Sequence, residues 1–191
     1  DLARGQALKL AAPLAFLKTM QATGLPFAEV PGMPSSRPST SVKLPGVQGL
    51  RVDVLAPGEP LGGVIRLPEL AWAAQAIPHY DYLLADPEPA ALLAGGHCIP
   101  LLLPQAGRMV WHKLYASAQR KGFPEKAIKD RQQAAVLAAL LTEHFPEALL
   151  AAFSATPEAI REAARTQGTP LLQLLDKHEE AQSLVESCLA M

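Results

Sequence analysis

The segment Leu50-Arg-Val-Asp-Val-Leu55 alternates in the manner of a half-buried strand, with Leu50, Val52 and Val54 on one face and Arg51, Asp53 and Leu55 on the other. Aspartate is depleted in strands, so Asp53 is either a solvent-facing residue paired with Arg51 or a carboxylate placed for chemistry. A rigid strand suits the second role, because Mg2+ demands oxygen ligands at fixed octahedral positions. One aspartate does not suffice, and Asp1, in Asp1-Leu-Ala-Arg, is a second acid at what reads as the end of a strand.

Cations form the other candidate set. Residues 108–131 hold Arg108, Lys113, Arg120, Lys121, Lys126, Lys129 and Arg131 against Glu125 and Asp130, a net charge of +5, which leaves −6 for the rest of the chain. Lys113 and Arg120 are two helical turns apart and share a face, and Lys126 shares another with Lys129 or Asp130. Such a pair of helices either ties up its charges internally or presents converging cations to a phosphate. His112 sits between Trp111 and Lys113 and reads as a packed histidine. The segments His79-Tyr-Asp81 and Gly95-Gly-His97-Cys98 supply no orienting partner for nucleophilic or metal chemistry, and Gly95-Gly96 reads as a turn.

Taken together, these segments resemble a bacterial family with a nucleotidyltransferase fold. That fold carries a D-x-D pair on one strand and a third Asp on a neighbouring strand, in a context much like Arg51-Val-Asp53-Val-Leu-Ala-Pro57. The run Met109-Val-Trp-His-Lys113-Leu-Tyr-Ala-Ser-Ala-Gln-Arg120, followed by Lys126-Ala-Ile-Lys129-Asp130, is similar to the family's H-K-L…R…K-x-x-K-D segment. Tyr82 to Ala90 and Cys98 to Pro104 resemble its connecting region. More distantly, the chain resembles abortive-infection toxin-type nucleotidyltransferases, but Arg131-Gln-Gln-Ala stands where those carry a second aspartate. The resemblance spans about residues 1–142.

The resemblance implies an α+β fold: a truncated nucleotidyltransferase-like mixed sheet over residues 1–104, then a helical domain over 105–191. It implies that Asp1 is the second acid of the D-x-D pair and Asp53 the third, both catalytic and metal-binding. Lys113, Arg120 and Lys129 would bind nucleotide phosphates, with Arg51 and Asp130 in support. The implied cofactor is a two-metal Mg2+ site, and the implied partners are an NTP and a hydroxyl acceptor, whether small molecule, RNA end or protein. The upstream acid and a Gly-Ser element would precede Asp1, so a chain starting there is expected to be inactive by itself. The alternative is a non-catalytic nucleotide-sensing or protein-interaction module. A third possibility, nucleic-acid binding by the basic helices, finds few interleaved aromatics to support it.

The elements that must position these residues follow from composition. Ala and Leu supply about a third of the 191 residues and charged residues only 18%, which excludes a charge-driven disordered polymer. The net charge of −1 gives no global attraction to polyanions or anionic membranes. Cys98 and Cys188 signal neither a disulfide framework nor a zinc site, and no apolar run is long enough to span a membrane, so a cytoplasmic location is expected.

Fourteen of the 18 prolines and ten of the 13 glycines fall before residue 105, which divides the chain into a strand-rich and a helix-rich half. In the first, a helix is expected over Gln6–Thr23, then extended pieces at Phe27–Val30, Ser41–Leu44, Leu50–Leu55, Gly63–Leu67, Ala71–Ile77, Tyr80–Leu84 and Cys98–Leu103. In the second, helices are expected over Gln105–Lys121, Pro124–His144, Pro146–Ser154, Pro157–Thr166 and Pro170–Ala190. Prolines open four of them, and Thr156 and Thr169 stand as N-caps.

Overall fold

The computed structural model describes residues 2–6 and 9–191, and the chain divides into two compact units, Asp1–Asp81 and Tyr82–Met191.

In the first unit, β1 (Leu2–Ala3), α1 (Phe16–Gln21), β2 (Ala28–Glu29), β3 (Ser41–Lys43), β4 (Arg51–Pro57), β5 (Val64–Leu67) and β6 (Trp72–Ile77) build one mixed sheet with a short helix against it. Strand β4 is its hub. It pairs antiparallel with β3, parallel with β6 and parallel with β1. The expected alternation is observed from Val52 on, where Val54 and Ala56 are buried with Phe16, Phe27, Val42, Leu67 and Ala74 and Val52 packs against them, while Leu50 precedes the strand and is exposed. Phe16 and Trp72 close this core with ring centroids 5.3 Å apart.

The first helix is far shorter than expected. Pro13 disfavours helix for the residue before it and lacks an N–H, so Lys9–Ala15 is not helical. The Leu14 N–H instead donates to the Glu69 carbonyl, tying this segment down. Ala7 and Leu8 lie outside the described residues.

The second unit contains β7 (Glu88–Ala94), β8 (His97–Leu103) and the helices α3 (Ala106–Gln119), α4 (Pro124–His144), α5 (Pro146–Ser154), α6 (Glu158–Thr166), α7 (Gly168–Leu174) and α8 (Glu179–Leu189). Tyr80–Leu84, expected to be extended, is a single helical segment, α2, because Tyr82 and Leu83 are both buried where a strand would alternate. Glu88–Ala94 is a strand that the Ala/Leu composition hid. It pairs with β8 across Gly95-Gly96, whose φ values of +56 and +79 are those a two-residue hairpin turn requires. The expected Pro170–Ala190 helix is broken. Continuing past Leu175 would carry His178 and Gln182 onto the buried stripe, and the break places Ala181, Val185 and Cys188 there instead. Thr156 is no N-cap: its hydroxyl donates to the Phe153 carbonyl at 2.6 Å and closes the end of α5.

The core of this unit is centred on Trp111, Leu114, Leu149, Phe153, Ile160 and Leu171. The Trp111 indole N–H donates to the Leu149 carbonyl at 3.1 Å while its ring meets Phe153 edge-on at 4.7 Å. Gly107 lets α3 reach α5, since a Cβ there would stand 2.6 Å from the Ala148 carbonyl oxygen and 2.9 Å from the Ala152 Cβ. Gly107→Ala is therefore expected to destabilise the chain by about 2 kcal/mol despite the better helix propensity of alanine, read as a lowered urea midpoint. An unchanged or raised midpoint would contradict that close approach.

Candidate functional site

Asp53 is the last residue of β4 paired with β3, opposite Ser41. From Leu55 onward the strand pairs with β6, and β1 runs alongside Val54 and Leu55. The carboxylate therefore projects where the neighbours of a central strand change, the kind of place in a sheet where ligands lodge. Its surroundings are polar and ordered. The Ser41 hydroxyl and the Arg51 Nε, the latter at 2.8 Å, both donate to Asp53 Oδ1, and Arg51 Nη2 donates to the Ser41 Oγ at 2.9 Å. Ser41 is almost wholly buried and the Asp53 side chain is 31% exposed. Among the described residues, nothing donates to Oδ2.

Burial by itself would raise the Asp53 pKa. The hydrogen bonds from Ser41 and Arg51, together with the guanidinium charge, outweigh it and hold the carboxyl below its ordinary value of 3.8. Asp53 is thus an anion at neutral pH. Because the folded value is the lower one, its contribution to stability is complete above the ordinary value and is lost as the pH falls through the lowered one. Asp53→Asn is expected to flatten the acid limb of a melting-temperature profile below about pH 4. A variant profile parallel to that of the wild type would contradict the shift.

Asp1 lies outside the described residues. Its neighbour Leu2 is in register with Val54, the residue after Asp53. Among the described residues no group of three or more His, Cys, Asp or Glu side chains is positioned to hold a metal ion. The described donor set offers one partly open anionic oxygen on a rigid strand, which by itself is too few oxygen ligands to hold Mg2+.

In the second unit, Lys113 on α3 and Arg120, the non-helical residue just past its end, both turn to Asp130 on α4. Lys113 Nζ lies 3.3 Å from Oδ1 and Arg120 Nε 2.6 Å from Oδ2, with the Asp130 side chain only 8% exposed. Other charges of this segment are also engaged. Arg108 donates to the Tyr82 carbonyl and to Asp86, Arg131 donates to Gln167, and Lys126 stands over the Phe123 ring. Lys129 is exposed on α4. His112 is buried next to Tyr115, consistent with a packed histidine. Cys98 is exposed and Cys188 buried, with burial pushing the Cys188 thiol up to about 11, so that thiol is inert.

Ser41 is the participant that the sequence reading missed. The signal was present: pairing the two expected strands Ser41–Leu44 and Leu50–Leu55 as a hairpin with Leu44 opposite Leu50 puts Ser41 opposite Asp53. Arg4 and Glu69, joined by bonds of 2.9 and 2.7 Å to one carboxylate oxygen, were likewise unmarked, being sixty-five residues apart.

Among the described residues no helix is long and apolar enough to cross a membrane. No curated protein and no solved structure gives a significant match to the chain. A family model described as nucleotidyltransferase matches residues 1–157, which include the whole Asp53 sheet and the whole of α5. With a match over more than half its length, and an α+β fold in which a mixed sheet is followed by helices, the chain belongs to this nucleotidyltransferase family.

Proposed function

We propose that the protein transfers a nucleotidyl group from an NTP to a hydroxyl acceptor in a Mg2+-dependent reaction, with Asp53 at the reacting centre. One observation carries this reading: an ionised carboxylate, oriented through one oxygen by Ser41 and Arg51, at the point where β4 changes neighbours in a chain of nucleotidyltransferase descent. Asp53 and Asp1 are the residues that would hold Mg2+. When bound, the metal supplies charge neutralisation of the triphosphate and activation of the acceptor hydroxyl for in-line attack on the α-phosphorus.

The protein's own contribution is positional. Ser41 and Arg51 hold the Asp53 carboxylate in one rotamer, so the second oxygen needs no reorganisation to serve as a ligand. Of the three cations expected to bind phosphates, Lys113 and Arg120 are committed to Asp130 within the helical unit, and Lys129 is exposed. The acceptor class is a small molecule, an RNA end or a protein hydroxyl.

A nucleotide-sensing or interaction module is the competing reading, and the Arg51 contact favours it, because a guanidinium already compensates the Asp53 charge. Pyrophosphate release from each of the four NTPs by the complete gene product, with Mg2+ and with EDTA, separates the two. Metal-dependent release with at least one NTP is expected from the enzyme. NTP binding without release under every condition supports the sensing module.

A further inference from the structure

The β7–β8 ribbon is the feature of the chain that nucleotidyl transfer does not use. Among the described residues its two strands pair only with each other, and both are exposed along almost their whole length. An isolated two-stranded ribbon is marginal in water unless an apolar face is covered. Here both faces are apolar. One presents Pro89, Ala91, Leu93, Cys98, Pro100 and Leu102, with Leu93 75% and Leu102 66% exposed. The other presents Leu92, Ile99 and Leu103, each about half exposed, with Glu88 at one end and His97 at the other. Glu88 and His97, at the ribbon's ends, are its only titratable side chains apart from Cys98.

Strand addition is not how such a ribbon would be covered. The two-residue turn makes Ala94 and His97 a hydrogen-bonded pair, so pairs alternate from there and the backbone groups of Leu93, Ala91 and Pro89, and of Cys98, Pro100 and Leu102, point outward. A proline thus removes an outward donor from each edge, a device that blocks edge-to-edge pairing. The faces remain, and away from Glu88 and His97 at the two ends of one of them they contain no charge for a polar or ionic partner to recognise.

We propose that the Glu88–Leu103 ribbon is a dimerisation arm exchanged between two copies of this chain. Size decides for a second copy. Seven residues at about 3.4 Å each and two strands about 4.8 Å apart make a face of roughly 24 by 10 Å, far below the roughly 800 Å² per partner of a stable interface. A two-fold arrangement reaches that class. The faces that carry Leu93 and Leu102 stack on each other, and each face that carries Leu92 and Ile99 lies against the partner's helical unit, where Val136 and Leu140 are exposed one turn apart on α4, 67% and 52% respectively. Together these contacts bury roughly 1,400 Å² over the two chains, within the range of specific interfaces. The surface is self-complementary, because one unit carries both the arm and an apolar receiving site.

The test is sedimentation equilibrium of the full chain and of the Leu93→Lys/Leu102→Lys variant, with amide hydrogen exchange of residues 88–103 in both. A dimer whose dissociation constant rises at least tenfold in the variant, with protection of the ribbon lost alongside, is expected. Because these side chains are exposed in the single chain, the variant should keep its helical content, and Val136→Lys should weaken the dimer in the same sense. A monomer with a protected ribbon would show that the chain covers its own arm. A monomer with an unprotected ribbon would show that nothing does, and a dimer indifferent to both substitutions would place the interface elsewhere. Each of these three results overturns the proposal.

Discussion

Asp53→Asn is expected to lower Mg2+-dependent nucleotidyl transfer by about 10³-fold, equivalent to about 4 kcal/mol of lost transition-state stabilisation. The substitution keeps the shape of the side chain and two acceptor positions become one, so the amide oxygen can still accept from Ser41 and Arg51. What it removes is the negative charge. Since the side chain is 31% exposed, a misplaced Arg51 guanidinium can turn to water, and the structural penalty stays small. Turnover and stability should therefore separate: pyrophosphate release collapses, while the melting temperature at neutral pH moves by a few degrees at most. Turnover within tenfold of wild type would remove Asp53 from the reacting centre, and a collapse of both quantities would make it a structural residue.

The second large effect lies at Asp130. Lys113 and Arg120 meet its two oxygens, and the aspartate is the buried member of the trio. Asp130→Ala leaves two cations facing each other without their anion. Breaking a fully buried pair costs about 3–5 kcal/mol, and because Lys113 and Arg120 retain 20% and 37% exposure the expected loss is about 3 kcal/mol. It is read as a fall in the urea midpoint at constant slope. Methionine at both 113 and 120 in the Asp130→Ala background is expected to recover most of the loss, because three apolar side chains need no counter-charge. A loss below about 1 kcal/mol, or no recovery, would show that the trio is a surface arrangement of little weight. Lys129→Ala, at an exposed position, should change stability by no more than about 0.5 kcal/mol.

How far these features could be read from sequence depended on the kind of signal each one left. Of the four helices announced by a proline, Pro124–His144 and Pro146–Ser154 begin and end as expected, since a missing N–H costs nothing in a first turn, whereas α6 opens one residue after Pro157 and α7 opens at Gly168, two residues before Pro170. Segments whose shape depends on distant partners were not. Nothing local marks Glu88–Ala94 as a strand, because Ala and Leu favour helices and only pairing with His97–Leu103 makes it extended. The break after Leu175 answers to which residues the core accepts, and the short first helix to the combination of Pro13 with a tether to Glu69.

The same division runs through the candidate site. Asp53 and Arg51 on one strand face were legible from alternation alone, and the convergence of Lys113 and Arg120 from their spacing. The identity of their partners required register: Ser41 for Asp53, and Asp130 for the two cations. Local patterns specify which side chains point together, and tertiary pairing specifies what they meet.

The most direct measurement is a Mn2+ titration of the complete gene product followed by electron paramagnetic resonance, with and without NTP, for wild type and Asp53→Asn. Mn2+ takes the same oxygen ligands as Mg2+ and reports binding without any need to know the acceptor. The expected result is a site whose Mn2+ affinity rises when NTP is added and falls at least tenfold in Asp53→Asn. Equal affinities in the two proteins, with and without NTP, would show that Asp53 holds no metal and would contradict its place at the centre of nucleotidyl transfer.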